Sequence, residues 1–141
     1  MTPDQMQHVR TSFALLVPIA DQAADLFYAN LFKADPSLRA LFKSPMHEQG
    51  RKLMQMIGVA VGLLDKQHVL LPALRQLGAR HAGYGAAAQH YGSVGAALLQ
   101  TLQQGLGPAF DAPTEQAWIA LYTLVSSTML EAAEAPAQMP A

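Results

Sequence analysis

His81 closes an apolar helical stripe. Leu70, Leu74, Leu77 and His81 recur at the spacing that places four side chains on one face of a helix. A neutral imidazole at the end of such a wall can give a metal one strong axial bond, and the wall suits a flat, apolar, metal-bearing cofactor. A lone histidine there also serves as an ordinary core or capping residue, so the stripe alone leaves both readings open. In the preceding segment Gln49, Leu53, Met56 and Ala60 share a face in the same way. Gln49 and His81 lie 81 − 49 = 32 residues apart on consecutive helices, a placement that could set them on opposite sides of one slot. Tyr28 adds an aromatic hydroxyl and Phe42 a bare ring, although Tyr28 and Gln49 would serve equally as solvent-facing polar residues. Together these are the parts a haem site needs: an imidazole below, a hydrogen-bond donor above, an aromatic ring against the macrocycle and aliphatic walls elsewhere. His47 precedes Gln49 by two residues, roughly 200° around a helix, and points away wherever Gln49 points in. His8, His68 and His90 have no partners at metal-site spacing and read as surface residues.

Composition narrows the chemistry further. The chain has 141 residues, enough for one domain that buries about two-thirds of its unfolded surface. It contains no cysteine, which removes thiolate catalysis, zinc knuckles and cysteine-held iron–sulfur clusters, and which fits a reducing compartment. Nine basic against ten acidic side chains offer no footprint for nucleic acid, and no basic run suggests a membrane surface. The apolar run from Phe13 to Ala20 faintly resembles an export signal, but Pro18 interrupts it and the residues after it are needed for the core. The run from Ile57 to Leu64 is far shorter than the roughly 20 residues that span a bilayer. The chain therefore reads as soluble and cytoplasmic.

The elements that must position these residues are all helical. A first helix opens at Pro3 and Asp4 and ends or kinks at Pro18, where proline removes a backbone donor. A second runs from about Asp21 to Lys33. Asp35 and Pro36 then form an N-cap and first helical position, starting a short third helix that ends near Phe42. The fourth spans Met46 to Leu64, the fifth Gln67 to Ala82, the sixth Ala86 to about Gln104 and the seventh Pro113 to about Glu134, with a breaker-rich stretch from Gly105 to Ala112. This predicts an all-α domain over residues 1–134 and a disordered tail over 135–141.

With those positions in place, five stretches carry a resemblance: LFYANLFKADPSLRALF, QGRKLMQMIG, LRQLGARHAGYG, HYGSVGAALL and LGPAFDAPTEQAWIALY. In order and spacing, from about Asp4 to Glu134, the chain resembles a globin of the bacterial single-domain and flavohaemoglobin lineage, with neuroglobin-like features in the last two stretches. The resemblance implies a globin fold of about seven helices around a haem b pocket. It implies His81 as the proximal iron ligand, Phe42 on the haem face, Tyr28 and Gln49 as the distal polar pair, and Leu53 as the apolar neighbour of a bound gas. Leu77 and Val94 would line the proximal side and rim, and Tyr91 would pack beside the proximal histidine. Lys52, with Arg51, would reach the haem propionates or remain a solvated helix charge.

Several features depart from the family patterns. Gln49 follows Phe42 by only seven residues, so the corner between the third and fourth helices is short and should hold no separate helix. Glutamine stands where vertebrate globins usually carry histidine, which argues against the commonest internal six-coordination. Counted from Trp118, the position of a flavohaemoglobin glutamate that braces the proximal histidine falls at Ala133, with Glu131 two residues before and Glu134 one after. A neutral, carbonyl-bonded His81 is the expectation. No flavin and nicotinamide module follows in this sequence.

Three functions compete. Reversible binding of O2, with CO and NO, at a five-coordinate haem iron leads. A nitric oxide dioxygenase working with a separate reductase is the enzymatic alternative, and a cofactor-free helical interaction or sensing domain is the third. A Soret band in the visible spectrum separates the third from the others.

Overall fold

Thr2 starts the chain's first helix through a capping box: its hydroxyl accepts from the Gln5 backbone N–H at 3.1 Å, and the Gln5 side chain accepts from the Thr2 N–H at 2.9 Å. The computed structural model describes residues 1–43, 45–83 and 88–138, and among these there are α-helices and 3-10 turns but no strand. The α-helices are α1 (Pro3–Leu16), α2 (Ala20–Ala34), α3 (Met46–Gly62), α4 (Gln67–Gly83), α5 (Ala88–Leu106) and α6 (Ala112–Gln138).

Pro18 acts as the sequence predicts. It ends α1 and leaves a single 3-10 turn, Val17–Ile19, before α2 begins. Asp35 then caps the next segment, accepting from the Ser37 backbone N–H at 3.2 Å. The expected third helix is a 3-10 segment, Pro36–Leu41, instead of an α-helix. Six residues between a capping aspartate and an extended Phe42 (φ −97°, ψ 105°) favour the tighter i to i+3 coil that short connectors use. The seven expected helices are thus six α-helices and this 3-10 segment. The short corner holds: Phe42, Lys43 and Pro45 are non-helical, and Ser44 lies outside the described residues. The sixth expected helix begins outside the described residues, at Ala86. Gly107 turns the chain after α5 at φ +56°, where a side chain would be strained, and Asp111 caps α6 by accepting from the Thr114 N–H at 3.0 Å. α6 continues to Gln138, and residues 139–141, part of the expected tail, lie outside the described residues.

The core has three parts. The largest joins Val9 and Leu16 of α1, Val61 of α3, Leu102 of α5 and Trp118 and Leu121 of α6. Within it the Trp118 indole N–H donates to Ser12 Oγ at 2.8 Å, and that hydroxyl donates to the His8 carbonyl at 2.7 Å, so both buried polar groups are satisfied. A second part gathers Phe27, Tyr28 and Leu31 of α2 with Leu38 and Ala97. The third joins Ala60 of α3, Leu70 and Leu74 of α4 and Met129 of α6. No described helix is long and apolar enough to cross a membrane.

Close backbone contacts set the helix positions. Gly50 lets α3 settle on Ala24 of α2, where an added Cβ would lie 2.9 Å from the Ala24 Cβ. Gly78 does the same for α4, since a Cβ there would overlap the backbone of Met129 in α6. Backbone cannot rotate aside as a side chain can, so Gly78→Ala should lower stability by about 1–3 kcal/mol through overpacking. Urea unfolding should show a lower midpoint at unchanged slope. Gly62→Ala, where a Cβ meets nothing within 4 Å, is the control and should leave the midpoint unchanged or raised.

Candidate functional site

α2 delivers Tyr28 into the second core cluster because Ala24, Phe27, Tyr28 and Leu31 form its buried face. The Tyr28 ring meets Phe42 edge-on at 5.3 Å and lies along Phe32 at 5.8 Å, while Phe32 and Phe42 meet edge-on at 5.5 Å. Leu53 of α3 and Val94 of α5 pack against the same cluster. The Tyr28 hydroxyl donates to the backbone carbonyl of Gln49 at 3.2 Å, and burial pushes its phenol up to about 12. The α2–α3 approach at Gly50, next in sequence to Gln49, brings that carbonyl within reach. The Gln49 side chain itself is half-buried. The structure therefore unites Tyr28, Phe42, Leu53 and Val94 in one cluster, with Gln49 joined to it through Tyr28.

His81 is half-buried in the last turn of α4, where its Nδ1 lies 2.9 Å from the Leu77 carbonyl. With Nδ1 donating, the ring's lone pair is on Nε2, the tautomer that a metal would bind. Burial holds the imidazole below its usual value; the Leu77 carbonyl acts in the opposite sense, and the Arg80 charge adds a smaller lowering. Leu77 and Tyr91 belong to the third core cluster. The Tyr91 hydroxyl is buried with no hydrogen-bond partner among the described residues, while its backbone carbonyl accepts from the Tyr122 hydroxyl at 2.6 Å. Burial, with the Tyr91 phenol beside it, pushes the Tyr122 phenol up as well. Glu131 is exposed, Ala133 is half-buried, and the Glu134 side chain lies outside the described residues.

The helices that carry Gln49 and His81 are braced on different partners. α3 packs mainly on α2 and α1 and α4 mainly on α6, and α3 and α4 share the cluster of Ala60, Leu70 and Leu74. Leu53 faces one cluster and Leu77 the other, so apolar side chains border the space between these helices. A surface hollow of about 470 Å³ over Val17–Gln22 and another of about 190 Å³ beside His8, Leu15 and Thr114 both lie on α1 and its neighbours, away from these residues. Lys52 and Arg51 are exposed on α3.

Haem fits this donor set. One imidazole is held in the metal-binding tautomer, aromatic and aliphatic side chains gather in the Tyr28 and Phe42 cluster, and the Tyr91 hydroxyl, beside the third core cluster, is a buried polar atom with no partner among the described residues. Among the remaining histidines His47 and His68 are exposed as expected, but His8 and His90 are half-buried rather than surface residues. His8 lies close enough to Asp111 to help hold that carboxyl below the usual range, after the larger effect of its hydrogen bonds to Thr114. Sequence reasoning missed Tyr122 and Gly50. The only signal for either was position: Tyr122 four residues after Trp118, and Gly50 beside Gln49.

Comparison with known proteins agrees with this geometry. The family model described as Globin matches residues 25–129. Neuroglobin of Danio rerio is 36% identical over 118 residues, covering 74% of each chain. The flavohemoprotein of Vibrio cholerae is 25% identical over 134 residues, which are 93% of this chain and 34% of that protein. A bacterial globin from Campylobacter jejuni shares the fold with a TM-score of 0.85 at 22% identity, covering 98% of this chain and all of its own.

The His81 environment makes a prediction for the haem-free protein. Because the folded pKa lies below the unfolded value, the unfolded chain takes up the proton first, so stability is full above the ordinary value of 6.5 and falls as pH drops through the window beneath it. The His81 ring signals should titrate below 6.5 by NMR, and His81→Phe should flatten the pH dependence of the unfolding midpoint across that window. A His81 titration at or above 6.5 would show that burial does not govern this imidazole.

Proposed function

The chain belongs to the globin family, and on that premise we propose that it holds haem b on His81 and reversibly binds O2, with CO and NO as further ligands. The observation that carries this reading is the His81 imidazole, half-buried at the end of α4 and set in its metal-binding tautomer by Leu77. Haem, when bound, would supply an iron able to take a nitrogen of the protein and a diatomic gas.

The residues divide that work. His81 offers Nε2 to the iron, and the burial that lowers its pKa keeps it neutral near pH 7, so that little proton competition opposes metal binding. Phe42 would lie against the macrocycle, and Leu53, Leu77 and Val94 would exclude water around it. Tyr91 packs below the proximal histidine. Lys52, exposed on α3, would meet a propionate from the solvent side, a contact worth less than about 1 kcal/mol for an exposed charge. Tyr28 and Gln49 supply the distal donors. The Tyr28 hydroxyl has one proton, here given to a neutral carbonyl at 3.2 Å, and a polarised O2 molecule is an acceptor able to compete for it.

The proximal side favours binding over turnover. A carbonyl, not a carboxylate, holds His81 Nδ1, and Ala133 stands where a bracing glutamate would be. Such an imidazole donates less electron density to iron than one paired with a carboxylate. Nitric oxide dioxygenase activity would require a separate reductase to return electrons. A cytoplasmic setting fits both uses.

The purified protein should show an intense Soret band. His81→Ala should lose haem or hold it so weakly that gel filtration strips it, and full haem with an unchanged ferrous spectrum would mean that His81 is not the ligand.

The distal donors can be tested separately. Each should stabilise O2 by about 1 kcal/mol, which is several-fold in its dissociation rate. In stopped-flow measurements Tyr28→Phe should therefore release O2 several-fold faster with a smaller change for CO. Equal effects on the two gases would assign Tyr28 a steric role.

A further inference from the structure

Met56 stands out on α3. On a helix of 100° per residue Gln49, Leu53, Met56 and Ala60 fall within roughly 60° of one another. Its neighbours on this stripe are covered by protein: Leu53 packs into the Tyr28 and Phe42 cluster, and Ala60 is 8% exposed among Leu70, Leu74 and Met129. Met56, about one turn from each, is 37% exposed and is the most exposed methionine among the described residues. Round the helix Met56 is as near to the exposed Lys52 and Val59 as to Ala60 and Leu53, roughly 40° and 60° in each case, so it stands at the edge where the covered stripe meets solvent.

We propose that Met56 is a haem-contact residue on the rim of the cleft, and that its oxidation to the sulfoxide weakens haem retention. This rests on the function proposed above, and it adds a residue and a modification site which that reading lacks. An unbranched, polarisable thioether moulds to a flat apolar surface better than a branched side chain does. The same exposure opens its sulfur to attack. A peroxide delivers one oxygen to it: the sulfur lone pair attacks the O–O bond, the thioether is oxidised to the sulfoxide, and hydrogen peroxide is reduced to water. The product is polar and chiral, and it carries a strong hydrogen-bond acceptor into an apolar contact. Linkage then runs in both directions, since a cofactor that covers Met56 must protect it, and a sulfoxide that disfavours the cofactor must release it.

The test uses the full chain, haem-free or loaded with zinc protoporphyrin, whose metal does not itself activate peroxide. Both forms are treated with hydrogen peroxide in the dark, and the oxidation of each methionine is followed by peptide mass spectrometry. Among the methionines of the described residues Met56 should oxidise first in the haem-free protein, and at least five-fold more slowly when loaded. Met6 and Met54, which pack on the Trp118 cluster, should change little between the two forms. Peroxide-treated haem-free protein should bind zinc protoporphyrin at least several-fold more weakly than untreated protein, whereas treated and untreated Met56→Leu should bind it alike. Equal Met56 reactivity with and without the porphyrin, or the same loss of affinity in Met56→Leu, would overturn the proposal. Failure of the untreated protein to bind the porphyrin at all would instead overturn the haem reading.

Discussion

Two glycines decide where the backbones of α3 and α4 can lie. Gly50 admits Ala24, and Gly78 admits the main chain of Met129, so each helix is drawn onto a neighbour too closely for any side chain to intervene. Interiors are packed densely enough that an approach of this kind fixes a helix to within a fraction of a residue diameter. α3 is thus seated mainly on α2 and α4 mainly on α6, with the connection at residues 63–66 between them. Leu53 and Leu77 consequently serve different clusters, and His81 stands half-buried one turn beyond Leu77. The site is thus a by-product of tight packing elsewhere.

Inside that frame the electrostatics are muted. Burial raises the phenols of Tyr28, Tyr91 and Tyr122 and lowers the imidazole of His81, and each shift favours the uncharged form near neutral pH. Charge is kept to exposed positions such as Lys52 and Arg51, and to the one ion pair found among the described residues, Arg10 with Asp65. A neutral interior suits an apolar guest, because no buried charge has to be desolvated again when it arrives. It also gives hydrogen bonds to the guest their full directional value.

Periodicity made the helices legible, since apolar residues at three- and four-residue intervals leave little ambiguity in a chain without alternating patterns. Pro18, Pro36 and the glycines around Gly107 marked the breaks for stereochemical reasons that need no tertiary context. His81 could be singled out because its stripe is continuous with Leu70, Leu74 and Leu77. What stayed hidden depends on packing between segments distant in sequence. Nothing local to Tyr28 shows that its hydroxyl will reach the carbonyl of Gln49, and nothing local to Met56 shows that it will be uncovered while Leu53 and Ala60 are not. The 3-10 form of Pro36–Leu41 was hidden for another reason, as the α and 3-10 coils share their opening cap and differ only in how tightly a short segment must turn. Pro72, the sixth residue of α4, withdraws the donor that the His68 carbonyl would otherwise accept, yet the helix runs on to Gly83.

The bond between Ser12 and Trp118 has a consequence for synthesis. It spans 106 residues and lies at the heart of the largest cluster, so α1 completes its packing only once α6 has been made. A ribosome delivers the chain from the N-terminus at roughly 5–20 residues per second. For several seconds α1, α2 and α3 are therefore outside with Val9, Leu16 and Val61 bare of the tryptophan that will cover them. During that interval apolar faces stay open to chaperones or to other nascent chains, and folding to completion becomes a late, concerted event set by emergence of the last helix.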